Sequence, residues 1–227
     1  ITNDIEGVAE VLLNNNKDII DAVHAHVPAV KPQIAFYEGY GYAGIKAFQG
    51  TVQYAKEKGL IVIEDGKRND IGHTATAYAQ GHFGHVDLLR GRCKGAFDVD
   101  YLTVSPFLGT DCLTPFVETA KTERKGIFIL VRTSNPNSAQ IQGVKTPSRQ
   151  TLSEYIAGYV NGYAQDYLGE CGYSPIGAVV GATFPEEAHQ LRQLMPNSLF
   201  LAPGFGAQGA TAKDIVPCFS EQGLGAL

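Results

Sequence analysis

The stretch Leu60-Ile61-Val62-Ile63-Glu64-Asp65-Gly66-Lys67-Arg68-Asn69-Asp70 joins four apolar residues to five ionisable side chains in seven positions. An unbroken apolar run of this length reads as a strand buried on both faces, as in a parallel sheet covered by helices. Similar runs recur at Tyr101 to Val104, Ile127 to Val131, Ala178 to Val180 and Leu199 to Ala202, with a shorter one at Ala29 to Ile34, making six predicted strands.

Helical patterns fill the intervals. Ile5, Val8, Ala9 and Leu12 share one face behind a capping candidate, Asn3, with Glu6 three residues on, and Ile19, Ile20, Val23 and Val27 continue the spacing. The segment from Gly41 ends in Lys56-Glu57-Lys58-Gly59 and another ends in Arg124-Lys125-Gly126, each placing cations on a last turn with glycine beyond it. Pro185-Glu186-Glu187 marks a further helix start. Strands alternating with helices predict an α/β fold with a parallel sheet, a barrel or an open doubly wound sheet.

The 227 residues, 44% hydrophobic and 18% charged, suit a single domain spanning 1–227. A formal charge of -5 with scattered Lys and Arg gives no surface for a nucleic-acid backbone. Cys93, Cys112, Cys171 and Cys218 lie far apart, which reads as buried free thiols in a reducing cytoplasm. No apolar run approaches the roughly 20 residues of a membrane span, and the N-terminus lacks the regions of a signal peptide.

In an extended segment Asp65 and Lys67 project to one side, and at the C-terminal end of a barrel strand that side faces the ligand. A solvated charged turn is the competing account, weakened by the position of the cluster at a strand end. A lysine between two aspartates stays cationic even when partly desolvated, and can donate a proton or stabilise a carbanion.

Asp65-x-Lys67-x-x-Asp70-Ile71-Gly72-x-Thr74 resembles the signature of orotidine 5′-phosphate decarboxylases. Val30-Lys31-Pro32-Gln33-Ile34-Ala35-Phe36-Tyr37-Glu38 is similar to that family's second strand, with its other active-site lysine. Leu201-Ala202-Pro203-Gly204-Phe205-Gly206-Ala207-Gln208-Gly209 is similar to its seventh strand and phosphate-side loop. With Thr133-Ser134-Asn135, the likeness runs from about Ile5 to Gly209 and is nearer the bacterial and protozoan branch than the archaeal one.

The resemblance implies a (β/α)8 TIM barrel whose first and last strands are missing from this sequence, so that the domain is incomplete at both ends. It implies decarboxylation of orotidine 5′-phosphate to uridine 5′-phosphate in pyrimidine biosynthesis, without cofactor or metal. Lys67 is then the proton donor to C6, Lys31 and Asp65 hold it in a charged array, and Asp70 completes the array. Asp70, Ile71 and Thr74 would reach the neighbouring site of a homodimer. Ser134 would bind the pyrimidine edge, Gln33 would contact substrate, and Pro203, Gly204, Gly206 and Gln208 would meet the phosphate. A ribose-contacting aspartate after the first strand and a phosphate-binding arginine after the eighth have no counterpart.

Other clusters have plainer accounts. His82-x-x-His85 with Asp87 has helical ligand spacing but no clear further partner, so packing is the better reading. His24 and His26 read as surface or helix-packing residues, and tyrosines 155, 159, 163 and 167 as a packing stripe. Arg132 reads as a charged strand end. Two rivals share the pattern: a magnesium-dependent phosphosugar decarboxylase or synthase of the same barrel group, and a catalytically silent nucleotide-binding barrel. Ile71-Gly72-x-Thr74 and the Ser134 loop weigh against the first.

Overall fold

Six parallel strands form a curled sheet in the computed structural model, which describes residues 4–206 and 208–227. In chain order the elements are α1 (Ile5–Val23), β1 (Ala29–Val30), α2 (Ala35–Glu38), α3 (Gly41–Glu57), β2 (Ile61–Arg68), α4 (Gly72–Phe83), β3 (His85–Asp87), β4 (Arg92–Lys94), β5 (Tyr101–Val104), α5 (Thr110–Glu123), β6 (Gly126–Arg132), α6 (Ala139–Gln142), α7 (Leu152–Asp166), β7 (Ser174–Val180), α8 (Pro185–Leu194), β8 (Ser198–Leu201) and α9 (Ala212–Ile215). The sheet order β1-β2-β5-β6-β7-β8 follows the chain, as successive strand-helix units of a barrel require. No described helix is long and apolar enough to cross a membrane.

All six predicted parallel strands are present, with shifted ends. β2 runs on through the charged cluster to Arg68, whereas β1 stops at Val30 because Lys31-Pro32 interrupts regular pairing. Pairing resumes as an isolated bridge between Gln33 and Asp65. The sequence reading missed the antiparallel hairpin β3–β4, whose strands have three residues each and too few side chains to show a period. No last strand is expected, yet residues 225–227 pair with β8. Ala226 bridges Phe200 in parallel; the Phe200 amide donates to the Gly225 carbonyl, the Leu227 amide to the Phe200 carbonyl and the Ala202 amide to the Leu227 carbonyl.

Asn3 lies outside the described residues, as does Ala207; α1 is capped by Asp4, which accepts from the Gly7 amide at 2.7 Å. Gly59 follows α3 as expected, at φ +81. At α5 the expectation fails, because Arg124 itself takes the left-handed position and Gly126 already belongs to β6. Gly126 is required for another reason: a Cβ there would lie 2.1 Å from the Tyr101 ring.

Strand alternation divides the core in two. The outward residues, among them Val62, Leu102, Ile129, Ala178 and Phe200, pack with the helices in the larger cluster. Ile63, Phe128, Val179 and Leu201 face inward and form a smaller one. Asp65 and Thr103 continue that inward face one step further along their strands, which puts them at its C-terminal mouth.

At the opposite end of the strands Lys56, Lys94 and Lys125 surround Asp98, with Lys56 and Lys125 also within 3.6 Å and 3.0 Å of Asp100. Burial pushes the Asp98 carboxyl up, but hydrogen bonds from Lys94 and Lys56 and the Lys125 charge outweigh it and hold the group at about 2. Since the folded value lies below the ordinary 3.8, the stabilisation is complete above pH 4 and disappears as pH falls through 2. We expect Asp98→Asn to lower stability by about 1–2 kcal/mol at pH 7 and by much less at pH 2, as read from denaturant midpoints at the two pH values.

Candidate active site

Asp65 occupies the mouth of the inward face because β2 continues past its apolar run. Its Oδ1 accepts from Lys67 Nζ at 2.5 Å and its Oδ2 from Lys31 Nζ at 3.2 Å. The turn after β1 brings Lys31 here: the Asp65 amide donates to the Pro32 carbonyl at 3.0 Å, which sets the two chains in register. Burial raises the Asp65 pKa, but the Lys67 hydrogen bond and the charges of Lys31 and Lys67 outweigh it and hold the carboxyl below its ordinary range.

Thr103 on β5 is fully buried and was missed in the sequence reading. Its hydroxyl donates to Asp65 Oδ1 at 3.0 Å and accepts from the amides of Gly66 and Lys67 at 3.0 and 2.9 Å. Lys67 is held at φ +46, a left-handed conformation that costs a non-glycine residue about 1 kcal/mol. Two amides fixed on one oxygen keep it there. A polar residue in the middle of the apolar run Tyr101 to Val104 was the available signal.

The cavity above these residues has a volume of about 830 Å³. Lys31, Gln33, Asp65, Lys67, Ser134, Pro203 and Gln208 line it, so seven of the sequence-predicted site residues, drawn from four separate segments, converge. Thr133, Asn135 and Gln142 join them; Phe107, Leu130, Ile141 and Gln142 also line an adjoining apolar cavity of about 600 Å³. Gly204 (φ +119) and Gly206 (φ +74) shape the loop between Pro203 and Gln208 without lining the cavity. Asp70, Ile71 and Thr74 do not converge with the rest. Asp70 accepts from the Ile71 amide at 2.8 Å, and Ile71 and Thr74 are exposed.

Arg132 ends β6, as expected, and is a buried clamp. It makes a two-point ion pair with Glu187 of α8 (2.6 and 3.0 Å), donates to Ser138, and stacks on Phe184. Gln142 returns to Thr133, accepting from its amide and donating to its hydroxyl, both at 2.9 Å. These contacts fix the loop that carries Ser134, and they pair a buried guanidinium beside it.

His82 and His85 diverge: His82 meets Glu64 at 2.7 Å and His85 meets Glu123 at 2.9 Å, which leaves no shared ligand geometry. Among the described residues no group of three His, Cys, Asp or Glu side chains could hold a metal. Tyr163 and Tyr167 pack against the core as expected, but Tyr155 and Tyr159 are exposed and line the apolar cavity. Cys112 and Cys218 are buried free thiols; Cys93 and Cys171 are exposed, contrary to the expectation.

Two ammonium groups share one carboxylate at the cavity, with Lys67 the more accessible of the two. Residues 11–222 match the model of the orotidine 5′-phosphate decarboxylase / HUMPS family. The chain belongs to that family. A curated relative from Rhodopirellula baltica, named orotidine 5′-phosphate decarboxylase, is 46% identical over 210 residues, covering 92% of this chain and 68% of the relative. The structure of Leishmania donovani OMP decarboxylase superimposes with a TM-score of 0.77 at 29% identity, over 96% of this chain and 77% of that one. Leishmania donovani UMP synthase gives a TM-score of 0.81 at 29% identity over the whole chain, which spans only 45% of that longer protein. The family description covers two kinds of enzyme, and the curated relatives carry the name of the first.

Replacing Thr103 by Val keeps the shape and removes the hydroxyl, leaving two amides without a partner. We expect a loss of about 2–3 kcal/mol in stability and a lower kcat as Lys67 relaxes, measured by thermal unfolding and steady-state turnover.

Proposed function

We propose that the protein decarboxylates orotidine 5′-phosphate to uridine 5′-phosphate in pyrimidine biosynthesis. The observation that carries this reading is the Lys31–Asp65–Lys67 array at the cavity mouth. When the C6 carboxylate leaves as carbon dioxide, the electron pair stays at C6 as a vinyl carbanion. A fixed ammonium beside that atom offsets the charge, and its proton then moves to C6. Lys67 is the donor; Asp65 and Lys31 hold it oriented. Because Asp65 is held ionised, the array stays assembled through neutral and mildly acidic pH.

Ser134 takes the pyrimidine edge, Gln33 also contacts substrate, and Gln208 with the Pro203 to Gly206 turn takes the phosphate. The positive φ angles of Gly204 and Gly206 support the phosphate role, since such turns let backbone amides approach an anion closely. Asp70, Ile71 and Thr74 serve the neighbouring site of a homodimer. The exposure of Ile71 and Thr74, and the position of all three outside the cavity lining of their own chain, support that assignment. We assign these elements to a single (β/α)-barrel domain, of which the six-stranded sheet forms a half-barrel.

The full-length protein should convert orotidine 5′-phosphate to uridine 5′-phosphate in the presence of a chelator, followed by the fall in substrate absorbance; no change in absorbance would sink the proposal, and a strict magnesium requirement would favour a phosphosugar enzyme. Lys67→Ala should reduce turnover by at least about three orders of magnitude with an unchanged melting temperature. Mixed Lys67→Ala and Asp70→Ala subunits should regain activity through one intact site per heterodimer. Absence of recovery despite proven subunit exchange would remove Asp70 from the partner's site.

A further inference from the structure

The face of β2 that points away from the cavity carries a second polar array. Glu64 is completely buried, and its Oε2 lies 2.7 Å from His82 Nδ1 on α4. His82 Nε2 accepts from Arg68 Nε at 3.3 Å, and Arg68 Nη2 donates to Glu38 Oε1 of α2 at 2.5 Å. A guanidinium has only donors, so Nε2 presents its lone pair to Arg68, and Nδ1 carries the hydrogen given to Glu64. The His82 ring is flanked by Tyr78 and Phe97, with centroids 6.1 and 4.9 Å away, which fixes its plane.

A buried carboxylate is costly where a branched apolar side chain would serve the fold, and among the described residues Glu64 Oε1 has no hydrogen-bond partner. Its placement has a local consequence. A Cβ at position 66 would lie 2.9 Å from Glu64 Oε1 and 3.2 Å from Leu102, so the carboxylate occupies the space above Gly66. Glu64 and Arg68 are therefore both fixed from behind, through the same imidazole, on either side of the left-handed residue Lys67. The Thr103 hydroxyl fixes the same segment from the side.

We propose that Glu64 and His82 are positioning residues for Lys67: the Glu64–His82–Arg68 chain clamps β2 from its outer face, so that the Lys67 ammonium stays on Asp65 beside the reacting carbon. This rests on the reading of the cavity as a decarboxylase site. The clamp touches no substrate. It acts on the proton donor rather than on ligand affinity, and removing it should lower kcat more than it weakens binding.

The test uses the full chain and four measurements: kcat and KM for orotidine 5′-phosphate, the Kd of uridine 5′-phosphate, and the melting temperature. Glu64→Gln and His82→Ala should lower kcat about ten- to a hundred-fold while the Kd stays within about two-fold. His82→Asn, whose amide N–H stands in for Nδ1–H, should restore most of the loss. Unchanged kcat in the first two variants would overturn the proposal. So would a joint fall of kcat, affinity and melting temperature without rescue by asparagine, which is what a merely structural pair would give. An inactive wild type would count against the decarboxylase reading instead. The crystal structure of Glu64→Gln then decides the clamp alone: a Lys67 ammonium displaced from Asp65 supports it, and an unmoved one overturns it.

Discussion

A single carboxylate organises this protein's cavity. Asp65 accepts from Lys31, Lys67 and Thr103, which arrive from three different places in the chain. Half-buried cations repel one another and need a counter-charge, and an aspartate at a strand end needs partners once water is thinned around it. Each need is met by the other. The result is a fixed arrangement of charge where the sheet opens on the cavity.

That arrangement depends on strand alternation. Along β2, Ile63, Asp65 and Lys67 turn to the cavity side, while Val62, Glu64 and Arg68 turn to the helices. The same eight residues thus supply the inner core, the charged array and a buried polar chain behind it. A one-residue slip in the pairing with β5 would exchange these faces. The bulge between Glu64 and Arg68 and the Thr103 bridge hold the register where the strand becomes irregular. The loop carrying Ser134 has its own anchor, in which Glu187 supplies the counter-charge for Arg132.

Much of this was legible in the chain itself. Short apolar runs separated by helical patterns predict the parallel α/β layout, and the motif from Asp65 to Thr74 points to the site and, with three other segments, to the family. The hairpin β3–β4 was not legible, because three-residue strands have no measurable period. The roles of Thr103 and Glu64 were hidden for a different reason. A threonine within a strand and a glutamate in a charge run are common, and only their partners distinguish them. Likewise Arg132 is legible as a strand-end charge, but its counter-charge Glu187, 55 residues away, is not.

By itself, then, the sequence determined the order of strands and helices, the face on which Asp65 and Lys67 both project, and the family to which the chain belongs. These follow from local periodicity and from a contiguous motif, which need no knowledge of distant contacts. The tertiary structure alone decided which lysine meets which oxygen of Asp65, that Thr103 holds Lys67 in its left-handed conformation, and that the tail at Ala226 lies along β8. Those outcomes depend on pairing between residues far apart in the chain, where packing and hydrogen-bond satisfaction choose among partners that local pattern leaves equivalent.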